Sequence, residues 1–274
     1  MIKLMHNSNF FYGSSLANSS LKASDAYGWH FQFKKNSLQN QIIKYLGVFH
    51  LGARIRSRIL SNILKDKNTK PLTLLDAGCG MGLASVYWST KFKRVLGVDQ
   101  DKTKIKQANI LAKDNHIKNI TFKAADILKG NFATEKFDFI ICFEVIEHVK
   151  DHKILIRNLS KRVKKGGEII LSFPSNSYIS AIAQKSLQHE VVGFLPKDIQ
   201  KVAQKENLKL IKTFSFGNTL LVQWLIAFDF FTRKTFPFIS PFLFPIFYPL
   251  VVLDLYMPQM GIPRGYVLVL EKLK

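Results

Sequence analysis

The stretch LTLLDAGCGMG, residues 72–82, constrains this chain more than any other. An apolar run, the mark of a buried strand, passes directly into alternating glycines. Gly78, Gly80 and Gly82 have no β-carbon, so the backbone can turn tightly there and lie against a ligand. A helical pattern follows at 83–91, and a second apolar strand, RVLGVD, at 94–99. Strand, glycine loop, helix and strand make a βαβ unit. Its loop lies at the carboxyl end of the first strand, the edge where doubly wound sheets bind ligands.

The alternation continues. Helical patterns at 101–114, 151–163 and 196–207 are interleaved with strands at 119–126, 136–143, 167–174, 209–216 and 265–273. This predicts a mostly parallel sheet with helices on both faces. Upstream, 38–66 has apolar positions at helical spacing. Segment 218–260 breaks the rhythm, being very apolar and carrying Pro237, Pro241, Pro245, Pro249 and Pro258. Its longest apolar stretch, 236–253, is at the lower edge of a membrane span, and prolines at every fourth position remove helical hydrogen bonds. A partly buried cap or a monotopic membrane contact is therefore expected over a span. A dimer interface or an extra core layer is the competing reading. The expected organisation is a lid or helical segment over 1–66, a central domain over 67–217 with 261–274, and an apolar insertion over 218–260 capping the active-site edge.

Composition narrows the partners. There are 40 Lys+Arg against 19 Asp+Glu, a net charge of +21 spread along the chain. Background composition accounts for such a surface, and so does an anionic membrane. Nucleic acid is disfavoured, because no RNA-binding signature or zinc spacing accompanies the charge. Cys79 and Cys142 sit in a glycine loop and an apolar strand, which excludes a disulfide scaffold and points to a reducing compartment. The opening residues carry no secretory-type apolar run, so a cytoplasmic location is expected, peripheral to the inner membrane if lipid is a partner.

Carboxylates mark the ends of the strands. Asp99, followed by Gln100, closes the second strand and can accept two hydrogen bonds from the vicinal hydroxyls of a ribose. Asp76 precedes a G-x-G-x-G loop rather than the G-x-G-x-x-G that seats a pyrophosphate. An acid there is poorly placed beside a diphosphate and well placed for a cationic amino group. Asp126, with Ile127 beside it, can accept from an adenine amine. The competing reading has the glycines serve only a turn and Asp99 only a helix cap. After the fourth strand, FDFIICFEVIEH (137–148) turns abruptly polar at Glu144, Glu147 and His148. Those three residues read as a metal site, an acid–base site or a charged helix start.

LLDAGCGMG, GVDQD, AADI, FDFIICFEVIEHV and VKKGGEIILSFP, in that order over 70–215, resemble the successive motifs of class I S-adenosylmethionine-dependent methyltransferases. The resemblance implies a Rossmann-like seven-stranded sheet of order 3-2-1-4-5-7-6, its last strand antiparallel, with an apolar helical insertion between strands six and seven. It implies S-adenosyl-L-methionine as cofactor, along Asp76, Gly78, Cys79, Gly80, Gly82, Asp99, Gln100, Asp126, Ile127 and Phe143.

EVIEHV (144–149) is similar to the version in ubiquinone-biosynthesis O-methyltransferases and small-RNA 2′-O-methyltransferases. That resemblance implies Glu144, Glu147 and His148 as ligands of Mg2+ or another divalent metal, with His189 as a fourth. On a helix the three would share one face. In metal-free relatives Glu144 borders the methionine end, and Glu147 with His148 packs the next helix. Glu144 and His148 are the candidate catalytic residues, with His30, next to Trp29 in the lid, as a further base. Of Arg54, Arg56 and Arg58, one is expected at the cofactor carboxylate and at least two on a solvated helix face. The expected activity is O-methylation of a hydroxylated lipophilic or lipid-linked small molecule. An RNA 2′-O-methyltransferase and a non-catalytic protein that keeps the cofactor fold are the alternatives.

Overall fold

The structure is a computed structural model and describes residues 50–177, 190–236 and 239–273. Trp29, His30 and His189 lie outside the described residues.

Seven strands make one sheet: β1 (Thr73–Ala77), β2 (Arg94–Asp99), β3 (Ile120–Ala124), β4 (Phe137–Phe143), β5 (Val163–Pro174), β6 (Leu208–Phe216) and β7 (Gly265–Lys272). Their order is β3-β2-β1-β4-β5-β7-β6, as expected. β7 runs antiparallel to both β5 and β6, while the other pairs are parallel. The period-two pattern of the strands divides the core between two layers. Leu74, Val95, Ile141 and Val267 enter the layer beneath α1 (Leu51–Leu64), α2 (Leu83–Ser89) and α3 (Lys102–Asp114). Leu75, Leu96, Ile140 and Leu268 enter the opposite layer beneath α4 (His152–Arg162) and α5 (Pro196–Lys205). With both faces covered, the inner strands read as continuous apolar runs. Asp101 caps α3 as its position implies, accepting from Thr103 N and Lys104 N.

Three features differ from the sequence reading. β5 begins at Val163, because Gly166, at φ 73°, lets the KKGG segment continue the strand through an irregularity in its register with β4. The insertion is helical as expected, forming α6 (Leu220–Thr235) and α7 (Ser240–Asp254), but α7 holds Pro245 and Pro249 inside it. It tolerates them because the buried stripe of Phe244, Tyr248 and Val251 packs into the layer that also contains α1. The third difference is α1 itself. Arg54 is buried, and Arg56 and Arg58 are half-buried, so none lies on a solvated face. The Arg54 guanidinium carbon sits 4.5 Å from the Phe244 ring centre and 5.0 Å from that of Tyr248. Asp229 of α6 accepts from Leu51 N at the amino end of α1, a favourable place for a carboxylate. The hairpin of α6 and α7 is thereby bolted to α1.

Candidate active site

The glycine loop is built by the backbone. Gly78 N and Cys79 N both donate to Val98 O, at 2.7 and 3.0 Å, tying the loop to β2. Gly78 has φ 80°, and a β-carbon there would lie 2.2 Å from Val145 Cγ2. Gly80 has φ 54°, and a β-carbon there would meet nothing within 4 Å. One glycine is required by the close approach of the β4 exit, and the other opens the loop onto empty space.

The acids surround that space. Asp76 is buried and accepts a 2.5 Å hydrogen bond from Ser85 Oγ of α2. Burial pushes its carboxyl up to about 6; the Ser85 hydroxyl opposes the shift and Asp99 adds to it. Asp99 accepts from Gly80 N through Oδ2 and from Asp101 N through Oδ1, both at 2.9 Å, so it fixes the loop's geometry. Each of its oxygens retains a second lone pair. Asp126 accepts from Leu128 N at 2.9 Å and caps the 3-10 turn Ile127–Lys129, whose Ile127 is buried. Gln100 is exposed beyond β2, and burial raises the pKa of the Cys79 thiol.

A cavity of about 180 Å³ opens between α1 and the carboxyl ends of β1 and β4. Arg54, Arg56, Asp76, Gly78, Phe143 and Glu144 are among its walls. Among the described residues its walls come from α1, α2 and the strand ends, and the hairpin touches α1 from the other side.

Glu144 occupies a left-handed backbone conformation, φ 54°, that disfavours side chains other than Gly, Asn and Asp. It is held there on several sides. Its N–H donates to Ser172 O at 3.0 Å, and its Oε1 accepts from Ser172 Oγ at 2.9 Å. Its Oε2 lies 3.4 Å from Arg56 Nη1. Burial lowers the pKa of the Arg264 guanidinium, the Glu144 carboxylate opposes that shift, and Arg56 adds to it. Ser172 and Arg264 are site residues that sequence reasoning missed. The topology carried a signal for Arg264: β7 starts antiparallel where β5 ends, with Gly265 opposite Pro174, which brings the preceding residue to the ligand edge.

Among the described residues the expected metal ligands Glu144, Glu147 and His148 are not grouped around one point. Glu144 precedes the 3-10 turn Ile146–His148 instead of starting a helix, so the one-face spacing does not arise. Glu144 borders the cavity, Glu147 is fully buried, and His148 is exposed. Neither carboxylate oxygen of Glu147 has a hydrogen-bond partner among the described residues. Burial holds its carboxyl well above the usual range, with the Glu144 charge adding to the shift. Among the described residues no three His, Cys, Asp or Glu side chains are grouped to hold a metal ion.

Residues 68–217 match a family model described as a methyltransferase domain. Over 193 residues the chain is 33% identical to the ubiquinone biosynthesis O-methyltransferase of Pelagibacter ubique (strain HTCC1062), covering 62% of this chain and 79% of that protein. Over 155 residues it is 30% identical to the protein of the same name from Rickettsia canadensis (strain McKiel), covering 56% of this chain and 64% of that one. The magnesium protoporphyrin IX methyltransferase of Synechocystis PCC 6803, solved with bound SAH, aligns over 92% of both chains with a TM-score of 0.54 and 16% identity, a likeness of fold. The motifs, the sheet order and these matches agree: the chain belongs to the class I S-adenosylmethionine-dependent methyltransferase family.

Proposed function

We propose that this methyltransferase acts on a hydroxyl oxygen of a lipophilic or lipid-linked small molecule, at the cytoplasmic face of the inner membrane. The observation that carries the reading is the cavity at the ends of β1 and β4, next to the open side of Gly80 and a series of strand-end acids. The donor set fits S-adenosyl-L-methionine. Asp99 has lone pairs for the ribose hydroxyls, Asp126 and Ile127 flank the adenine, and buried Asp76 meets the cationic amino group. Arg56, on the cavity wall, takes the carboxylate. The bound cofactor supplies a methyl group on a sulfonium.

The chain's own work is to hold the acceptor in line and to take its proton. Glu144 is placed for both, since Ser172 and Arg56 fix its carboxylate at the cavity wall. Its left-handed backbone is the kind of local strain that accompanies such sites. His148, exposed and absent from the cavity walls, is not assigned this role. The names of the Pelagibacter and Rickettsia relatives support oxygen as the accepting atom.

Incubating the protein with methyl-labelled cofactor and separate lipid and polar extracts tests the reading. Label should move into an alkali-stable product of the lipid extract. Label confined to the polar extract would overturn the lipophilic half of the proposal, and label on nitrogen would overturn the oxygen.

A further inference from the structure

The face of the hairpin turned away from α1 has no counterpart among the other described residues. Trp224, Phe228 and Phe231 recur on one side of α6, and Phe242, Ile246 and Leu253 on one side of α7. All six are exposed, Phe242 at 77%, Ile246 at 63% and Trp224 at 60%. The two rows belong to one surface, because Phe228 of α6 packs edge-on against Phe247 of α7 at 6.1 Å. Soluble monomers rarely leave an aromatic surface of this kind uncovered.

We propose that this face is a docking surface for an anionic lipid bilayer, with α6 and α7 lying in the plane of the interface. The proposal rests on the membrane reading above and assigns it to particular residues. Charge supports it first. Asp229 and Asp254 are the only acids in 218–260, and both are buried. Asp229 receives Leu51 N, while Asp254 receives Asn218 N together with Thr219 N and Oγ1, which ties the base of the hairpin. The exposed face thus carries no negative charge, on a chain of net +21 whose hairpin also contains Arg233 and Lys234. An anionic surface attracts such a face and would repel an acidic one.

Length and hydrogen bonding set the orientation. α6 and α7 have 16 and 15 residues. At 1.5 Å per residue each is about 23 Å long, short of the roughly 30 Å hydrocarbon core. None of the described helices is long and apolar enough to cross a membrane. Pro245 and Pro249 have no amide hydrogen, so the carbonyls at 241 and 245 lose their helical donors. Such carbonyls are costly in hydrocarbon and are met by water or headgroups at the interface. A second copy of the chain fits less well. Stable protein interfaces carry about one hydrogen bond per 100–200 Å², and the six exposed side chains offer a single donor, the Trp224 indole.

Docking at this face would also reach the catalytic cavity, because α7 clasps Arg54 while α1 forms the cavity wall.

Flotation of the full chain with vesicles tests the proposal. Wild type should float with phosphatidylglycerol–phosphatidylcholine vesicles and remain behind with phosphatidylcholine alone. The double variant Phe242→Glu, Ile246→Glu should lose about tenfold or more of that binding. Both positions are exposed, and cofactor binding by calorimetry should be unchanged. Ile154→Glu on α4, in the opposite layer, should float as wild type does. No flotation of wild type, or equal losses in the α7 and α4 variants, would overturn the docking surface. So would a dimer in light scattering that the double variant abolishes. Cofactor binding without flotation would sink only the docking; flotation without cofactor binding would sink only the donor-site assignment.

Discussion

Two strand exits face the same cavity and are built on opposite principles. At the β1 exit the chain within and next to the loop does the holding: Gly78 and Cys79 N–H donate to Val98 O, and the Asp99 carboxylate at the end of β2 accepts from Gly80 N. The buried acid there, Asp76, has the Ser85 hydroxyl. At the β4 exit one backbone bond, Glu144 N to Ser172 O, is joined by side chains from distant elements. Glu144 is kept in a left-handed turn by Ser172 and Arg56, and the buried acid, Glu147, has no hydrogen-bond partner among the described residues. A site held by backbone is dictated by local sequence. A site held by side chains is dictated by whatever distant elements deliver them.

The largest effect on stability should come from Gly78→Ala. The new methyl meets Val145 Cγ2 at 2.2 Å in a backbone region that side chains rarely adopt. We expect a loss of about 2–4 kcal/mol of stability, from overpacking plus left-handed strain. Chemical denaturation measures it. Gly80→Ala should cost only about 1 kcal/mol, since its β-carbon faces open space, yet should weaken cofactor binding at least as much as Gly78→Ala does. Equal stability losses would erase the distinction between the close-packed and the open glycine.

Asp99→Ala comes next. Two charge-assisted hydrogen bonds to a ribose, each about 1.5–3 kcal/mol, amount to roughly a hundredfold or more in affinity. Calorimetry with S-adenosyl-L-homocysteine should show that loss. Asp126→Ala, which removes one contact, should cost about tenfold. Near-normal affinity in Asp99→Ala would remove the ribose assignment.

These two tests fall where the sequence was most informative, and the reason is physical. The sheet order, the glycine loop and the acids at 76, 99 and 126 follow from strand periodicity and from the position of each residue relative to its own strand end. Glu144, Glu147 and His148 were expected on one helical face because their spacing is helical. The chain instead makes a left-handed residue and a single 3-10 turn, which spacing cannot reveal. At least two of Arg54, Arg56 and Arg58 were expected on a wet surface, because nothing nearby in sequence announces Phe244 and Tyr248, which arrive from α7 to cover Arg54. Ser172 and Arg264 were missed for the same cause: long-range packing brings them in.

The pH dependence of cofactor binding sharpens the β1 side. Asp76 sits at about 6 in the folded protein, against an ordinary 3.8. A folded-state value above the unfolded one favours the protonated acid. The associated stability of the cofactor-free protein is therefore fully present below about pH 4 and is lost as pH rises through about 6. The difference amounts to about 3 kcal/mol. A cationic amino group next to Asp76 favours the charged form, so affinity should fall as pH drops below about 6, by up to tenfold per pH unit. Asp76→Asn should weaken binding at neutral pH and flatten both profiles. An unchanged slope in that variant would place the amino group elsewhere.

The smallest effect should come from the β4 side, and its sign is the informative part. Glu147 is fully buried, with no hydrogen-bond partner for either oxygen among the described residues. A carboxyl in that position costs stability by desolvation and gains little in return. Glu147→Met, similar in volume and apolar, should raise stability by about 1–2 kcal/mol at neutral pH, with activity retained and unaffected by a chelator. A metal ligand would behave oppositely: the variant would lose activity, and the wild-type enzyme would lose it to the chelator. Raised thermal stability with intact turnover would show that the Glu-x-x-Glu-His spacing persists here as packing, and that Glu144 alone of the three serves the cavity.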